Sequence, residues 1–178
     1  MNIVEFGPGY SPVFKRSREV EERLDAGANY VGVDVSRGDI ATIARRDGVS
    51  LVVGDLGKIP LKDRTADELW LLNVFSGRLI NNPTRLPDGR SITVLGTRRF
   101  FEEMVRVLKP NGAIIIGEWA PRIGKIDWIR EANYEQYGLA KQVYEGEALQ
   151  DFTSLHGIRF GITWEDTPPF FVVLSKTN

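Results

Sequence analysis

The sequence contains no cysteine and only one histidine, His156. The first absence excludes disulfides, thiolate nucleophiles and zinc–thiolate centres together. The second leaves no histidine-based ligand set, and the acidic residues show no metal-ligand spacing, so no metal is expected. Long hydrophobic runs are lacking as well. Stretches such as Ala113 to Ile116 and Phe170 to Leu174 fall far short of the roughly 18 apolar residues a membrane span needs. No basic segment followed by an apolar one opens the chain, which predicts no secretory signal, a cytoplasmic location and no membrane partner. An excess of charge of one sign is missing too. Lys+Arg of 23 against Asp+Glu of 24 leave a net charge of −1. Dedicated nucleic-acid binders carry a basic excess that displaces counterions from phosphates, so RNA is disfavoured, although a local patch would suffice.

What is present is a chain of 178 residues, 42% hydrophobic and 26% charged, the size and makeup of one globular domain. No repeat, low-complexity tract or long linker divides it, so residues 1–178 read as a single domain. Short apolar runs alternate with amphipathic stretches. Ile3 to Phe6, Tyr30 to Asp34, Leu51 to Gly54, Glu68 to Phe75 and Ala113 to Trp119 read as buried strands. Ser11-Pro12 predicts a helix start, with Ser as cap and Pro at the first helical position. Val13, Val20 and Leu24 share one helical face, and Gly27 stops the helix. Ile40, Ile43 and Ala44 mark a short helix ending at Gly48, and Phe100, Phe101, Met104, Val105 and Leu108 a longer one. Lys109-Pro110-Asn111-Gly112 reads as a turn. Residues 126–137 and 145–156 read as helices. Ile158 to Trp164 and Phe170 to Ser175 read as two strands joined at Asp166-Thr167-Pro168-Pro169. Residues 76–96 show no periodicity and look like an inserted loop.

This alternation predicts an α/β fold. The expected architecture is a doubly wound, mainly parallel, seven-stranded Rossmann-like sheet with a C-terminal antiparallel hairpin and helices on both faces. Such sheets bind ligands at the carboxyl ends of their strands, where the strand order reverses. The residues just after each strand therefore carry the chemistry.

After the first strand comes Gly7-Pro8-Gly9. Two glycines one apart let the backbone turn tightly and approach a ligand without a Cβ in the way. The following helix aims free N–H groups at the same spot. A plain strand-to-helix turn is the bland alternative. A dinucleotide fingerprint needs a third glycine where this chain has Pro12, which argues against NAD and FAD. Glu5, at the foot of the loop, either holds its N–H groups or faces a cationic ligand end. The second strand ends at Asp34, 25 residues after Gly9. A carboxylate there can accept both hydroxyls of a ribose; a helix cap is the alternative. The third strand ends in Gly54-Asp55-Leu56, where a carboxylate can accept from an adenine amino group and the next N–H can meet a ring nitrogen. The alternative is a turn Asp bonding its own backbone.

Four segments in order then resemble the motifs of class I S-adenosylmethionine-dependent methyltransferases. They are Glu-Phe-Gly-Pro-Gly-Tyr-Ser (5–11), Val-Gly-Val-Asp-Val-Ser (31–36), Gly-Asp-Leu-Gly-Lys-Ile-Pro (54–60) and Arg-Val-Leu-Lys-Pro-Asn-Gly (106–112). The resemblance runs from residue 2 to about residue 119. It implies S-adenosylmethionine as cofactor. Glu5, Phe6, Gly7, Pro8 and Gly9 would meet its methionine part, Asp34 its ribose, and Val35, Asp55 and Leu56 its adenine. Asn73 to Phe75, at the end of the fourth strand, would lie beside the methyl group and the acceptor. The chain departs from the family pattern at Ser11, where a third loop glycine is often found. Relatives also carry helices before the first strand, whereas only Met1 and Asn2 precede it here. Residues 76–96 are the candidate cover for the site.

The cofactor supplies the reactive methyl, so no catalytic signature is required. None is found. The Asn/Asp-Pro-Pro-aromatic loop of amino-group methyltransferases is replaced by Asn73-Val74-Phe75-Ser76. His156 is read as a helix-end residue rather than a catalytic one. Glu118 is either a base at the end of the fifth strand or a surface carboxylate. Trp119, Trp128, Tyr134, Tyr137 and Tyr144 either line an acceptor pocket or pack short helices onto the sheet. Lys15, Arg16 and Arg18, or Arg85, Arg90, Arg98 and Arg99, either contact phosphate or form charged surface. Three functions are open: methyl transfer to a small molecule, which is favoured; methyl transfer to RNA; and a non-catalytic cofactor-binding module completed by a partner.

Overall fold

The first strand, β1 (Asn2–Phe6), has Ile3, Val4 and Phe6 fully buried, because its apolar residues point alternately into both faces of the sheet. It lies in the interior of the sheet, beside the central strand. On one side it pairs in parallel with β2 (Asn29–Asp34), which pairs in parallel with β3 (Val49–Val53). On the other it pairs in parallel with β4 (Ala66–Leu72), and β4 pairs in parallel with β7 (Leu108–Glu118). The antiparallel strand β9 (Phe170–Lys176) follows β7, and β8 (Leu139–Tyr144) closes that edge, antiparallel to β9. The order is β3-β2-β1-β4-β7-β9-β8. The computed structural model describes residues 1–9, 11–35, 43, 46–54, 57–74, 84–85, 91–92, 98–118, 127–158 and 169–176.

Helices cover both faces. One core gathers Val4, Phe6, Leu69 and Ile116 from the sheet under α3 (Arg98–Val107) and α4 (Asp127–Glu131), through Phe100, Phe101, Met104 and Ile129. The other gathers Ile3, Tyr30, Trp70 and Phe171 under α1 (Val13–Arg16), α2 (Arg18–Asp25) and α5 (Gly146–Leu155). This is the doubly wound seven-stranded sheet expected from the alternation of elements.

Four local expectations change. The single helix expected after Pro12 is two short ones, broken at Ser17, which caps α2 by accepting from Val20 N at 3.2 Å. The antiparallel partner of β9 at the edge is Leu139–Tyr144, a stretch without a strand reading in the sequence; residues 159–164 lie outside the described residues. The turn expected at Lys109–Gly112 falls within the bounds of β7. There the pairing steps from Ala66↔Leu108 to Glu68↔Ala113, and Asn111 takes φ 61. The kink is a bulge that absorbs the extra residues. Finally, the segment read as an unstructured insertion holds two short antiparallel strands, β5 (Thr84–Arg85) and β6 (Ser91–Ile92). Of the helix expected around Ile40–Ala44 only Ile43 is among the described residues, buried in the second core. No helix among the described residues is long and apolar enough to cross a membrane.

Candidate functional site

The strand order reverses at β1, whose neighbours β2 and β4 connect in opposite directions, and the glycine loop leaves the sheet at that point. Gly7 and Gly9 both have positive φ, 65° and 50°. That region is costly for residues with a Cβ, which is why this turn takes glycine. A Cβ added at Gly7 would reach ordinary contact with the Val74 side chain, 3.4 Å from its Cγ2, so the backbone conformation rather than space sets the glycine there. At Gly9 an added Cβ would meet no described atom within 4 Å. The loop is anchored by Gly7 N donating to Val33 O at 2.9 Å.

Glu5 is 1% exposed. Its Oε2 accepts from Val13 N and from the Tyr30 hydroxyl, each at 2.6 Å. The helix after the loop is thus capped from the sheet. The expected cap, Ser11, makes no such bond; its Oγ accepts from Arg16 Nε at 3.0 Å, and Pro12 occupies the cap position. The N–H that Glu5 holds is that of Val13 at the helix start, rather than one of the glycine loop's own. Burial pushes the Glu5 carboxyl up to about 7, against the lowering pull of the Tyr30 and Val13 hydrogen bonds and of Arg16. Burial also raises Tyr30 well above the ordinary phenol value, and the neighbouring Glu5 charge adds to it.

Asp34 ends β2, 8% exposed, with Gly9 N 3.4 Å from its Oδ2. The carboxylate and the glycine loop therefore meet, as their order in the sequence anticipated. Val35 follows, half-buried. Asn73 directly follows β4 in the left-handed region, φ 54, with its N–H donating to Gly117 O at 2.8 Å. The structure brings Glu5, Phe6, Gly7, Pro8, Gly9, Asp34, Val35 and Asn73 to one end of the sheet. Asp55 and Leu56 lie outside the described residues. The loop that follows them is held down by α3: Arg106 donates to Ile59 O and Leu61 O, each at 2.9 Å, and Glu103 Oε2 accepts from Ile59 N at 2.9 Å.

Glu118, at the carboxyl end of β7, is 1% exposed, so it is not a surface carboxylate. His156 is the C-cap of α5, its N–H donating to Phe152 O, and its Nδ1 contacts Glu19 Oε2. The helix-end reading holds. Three of the five aromatic residues considered for an acceptor pocket serve packing. Tyr134 and Tyr137 lie against Phe101, at 5.4 and 5.5 Å between rings, and Tyr144 against Phe152 at 4.4 Å. The side chains of Trp119 and Trp128 lie outside the description. A cavity of about 580 Å³ lined by Arg64, Arg106, Tyr137 and Lys176 opens where β4 begins and β9 ends, away from the glycine loop. Two of its three cations are engaged: Arg106 by Glu103 and Asp63, Lys176 by Val105 O and Leu108 O.

Sequence reasoning overlooked Tyr30, and it weighed Arg16 only as a phosphate contact or charged surface, not as a neighbour of Glu5. A tyrosine one strand away carries no local sign that it reaches Glu5. The pairing Glu5↔Gly32, which puts Tyr30 on the same face, exists only in the sheet.

This fold is that of class I S-adenosylmethionine-dependent methyltransferases. A methyltransferase of this kind from Aquifex aeolicus superposes with a TM-score of 0.60 at 17% identity, over 98% of this chain and 81% of its own. A TehB-like one from Corynebacterium glutamicum gives 0.58 at 20% identity, over 99% and 80%. The [4+2]-cyclase SpnF gives 0.61 at 14% identity, over 99% and 75%. No protein-family model and no curated protein matches the sequence.

Proposed function

We propose that the chain binds S-adenosylmethionine across the carboxyl ends of β1, β2 and β4 and transfers its methyl group to a small-molecule acceptor. The observation that carries this reading is the meeting of Asp34 with the backbone N–H of Gly9. A carboxylate at this point suits a ribose, and the glycine backbone beside it accommodates an amino-acid end without side-chain obstruction. The donor set fits: two carboxylates, an open glycine and a half-buried Val35 suit an adenosine carrying a cationic sulfur. Glu5 braces the loop, Asp34 holds the ribose, and Val35, Asp55 and Leu56 enclose the adenine. Asn73 stands at the acceptor side. Bound S-adenosylmethionine supplies an electrophilic methyl on a sulfonium. The chain's task is then to orient the acceptor and exclude water, and residues 76–96 are the segment proposed to cover the site.

The near-zero net charge supports a small acceptor over RNA. Fold alone does not dictate methyl transfer, since SpnF shares the fold and is a cyclase. Calorimetry with S-adenosylmethionine tests the site directly. Asp34→Ala is expected to weaken binding at least tenfold, about 1.4 kcal/mol; unchanged affinity would remove the ribose assignment. Affinity for RNA that falls steeply with salt would transfer the reading to an RNA acceptor.

A further inference from the structure

Side chains alternate across a strand, so the pairing of Glu5 with Gly32 puts Tyr30 and Asp34 on the Glu5 face of β2. Two carboxylates, 1% and 8% exposed, therefore flank the glycine loop, and the Asp34 charge opposes ionisation of Glu5. Arg16 of α1 attracts it, and the Tyr30 hydroxyl donates to it. From β4 the neighbour in register is Trp70, which is neutral. Glu68, two residues earlier, is occupied by Arg23 and by the Trp70 indole N–H. Beyond Trp70 lies the His156 ring, 6.5 Å away and engaged by Glu19. Among these described groups Arg16 is the one cation pulling on Glu5, and it is itself partly desolvated.

We propose that Glu5 holds a proton in the ligand-free protein and releases it to solvent when a cationic ligand occupies the glycine loop, so that sulfonium binding is linked to proton release. This rests on reading the loop as an S-adenosylmethionine site. No bond to the ligand forms or breaks; the proton leaves the carboxyl for water. A positive charge beside two buried carboxylates favours the ionised form of both. Once ionised, Glu5 accepts from Val13 N and Tyr30 in charge-assisted bonds, which are the stronger kind. Proton release thereby tightens the start of α1 against the loop that holds the ligand. The ordinary neutral range is where the coupling acts, because burial places the Glu5 carboxyl at about 7.

The test is calorimetry of the full chain near pH 6.5 in two buffers of different ionisation heat. S-adenosylmethionine is compared with S-adenosylhomocysteine, whose sulfur is neutral. The expected result is release of a sizeable fraction of a proton with the sulfonium ligand and less with the thioether. Affinity for the sulfonium should rise about three- to tenfold between pH 6 and pH 8. Equal proton counts for the two ligands, or binding with no proton release, overturn the coupling alone. No binding heat with either ligand at any pH overturns the cofactor reading and the coupling with it. Glu5→Gln should abolish the proton release, and release unchanged in that variant assigns the proton elsewhere and overturns the proposal. If that variant fails to fold, Tyr30→Phe decides. Removing a donor to the carboxylate should move the midpoint of the affinity rise to higher pH, and an unmoved midpoint overturns the coupling.

Discussion

Burial raises the Glu5 carboxyl from 4.5 to about 7, so between those values the folded chain keeps a proton that the unfolded chain has lost. The sign follows directly. The stability associated with that proton is fully present below pH 4.5 and is lost as pH rises through about 7, on the order of 3 kcal/mol across the window. Glu5→Gln should flatten this slope between pH 5 and pH 8. Thermal melts of the two proteins across that range measure it, and parallel slopes would show that Glu5 does not titrate there. Glu103 acts in the opposite sense at the acid end. Its hydrogen bonds to Arg106 hold it below the usual carboxylate range, so its contribution disappears only as pH falls through that lowered value.

The break between α1 and α2 is an element-scale device with a single side chain at its centre. Ser17 Oγ accepts from Val20 N and donates to His156 O at 2.7 Å, joining the start of α2 to the end of α5. Its backbone pairs with Ile158 in an isolated antiparallel bridge. Ser17→Ala removes a helix cap and a buried donor together, and an expected loss of about 1–2 kcal/mol follows. Urea unfolding measures it; a change below a few tenths would mean that water replaces both bonds. Helical periodicity alone joined Val13, Val20 and Leu24 into one helix. Nothing local announces that Ser17 has a partner 139 residues away in His156. The edge strand Leu139–Tyr144 was hidden for a related reason. Its burial runs Beeeii, and an edge strand exposed along much of its length lacks the alternation that reveals strands.

At the scale of the whole molecule, two cores share one sheet. Phe100 is fully buried in the core beneath α3, 6.3 Å from the ring of Phe6 in β1. Phe100→Ala is expected to cost about 3–5 kcal/mol. Because β1, β4 and β7 belong to both cores, the loss should move the secondary-structure and aromatic circular-dichroism transitions together. Two separated transitions would show instead that the layers unfold independently. The doubly wound class was readable from the alternation of apolar runs and amphipathic stretches, since only a sheet covered on both faces buries such strands. The meeting of the glycine loop with Asp34 was readable as well, because a tight turn at positive φ favours glycine and parallel strands bring their carboxyl ends to one edge of the sheet. Pairing register, the Glu5–Tyr30–Val13 network and the burial of Glu118 were not. Local sequence determined most of the buried strands and the longer helices through periodicity and turn chemistry, but not the exposed edge strand Leu139–Tyr144 or the break at Ser17. Only the tertiary structure decided which distant side chains share a face, because that depends on strand order and register.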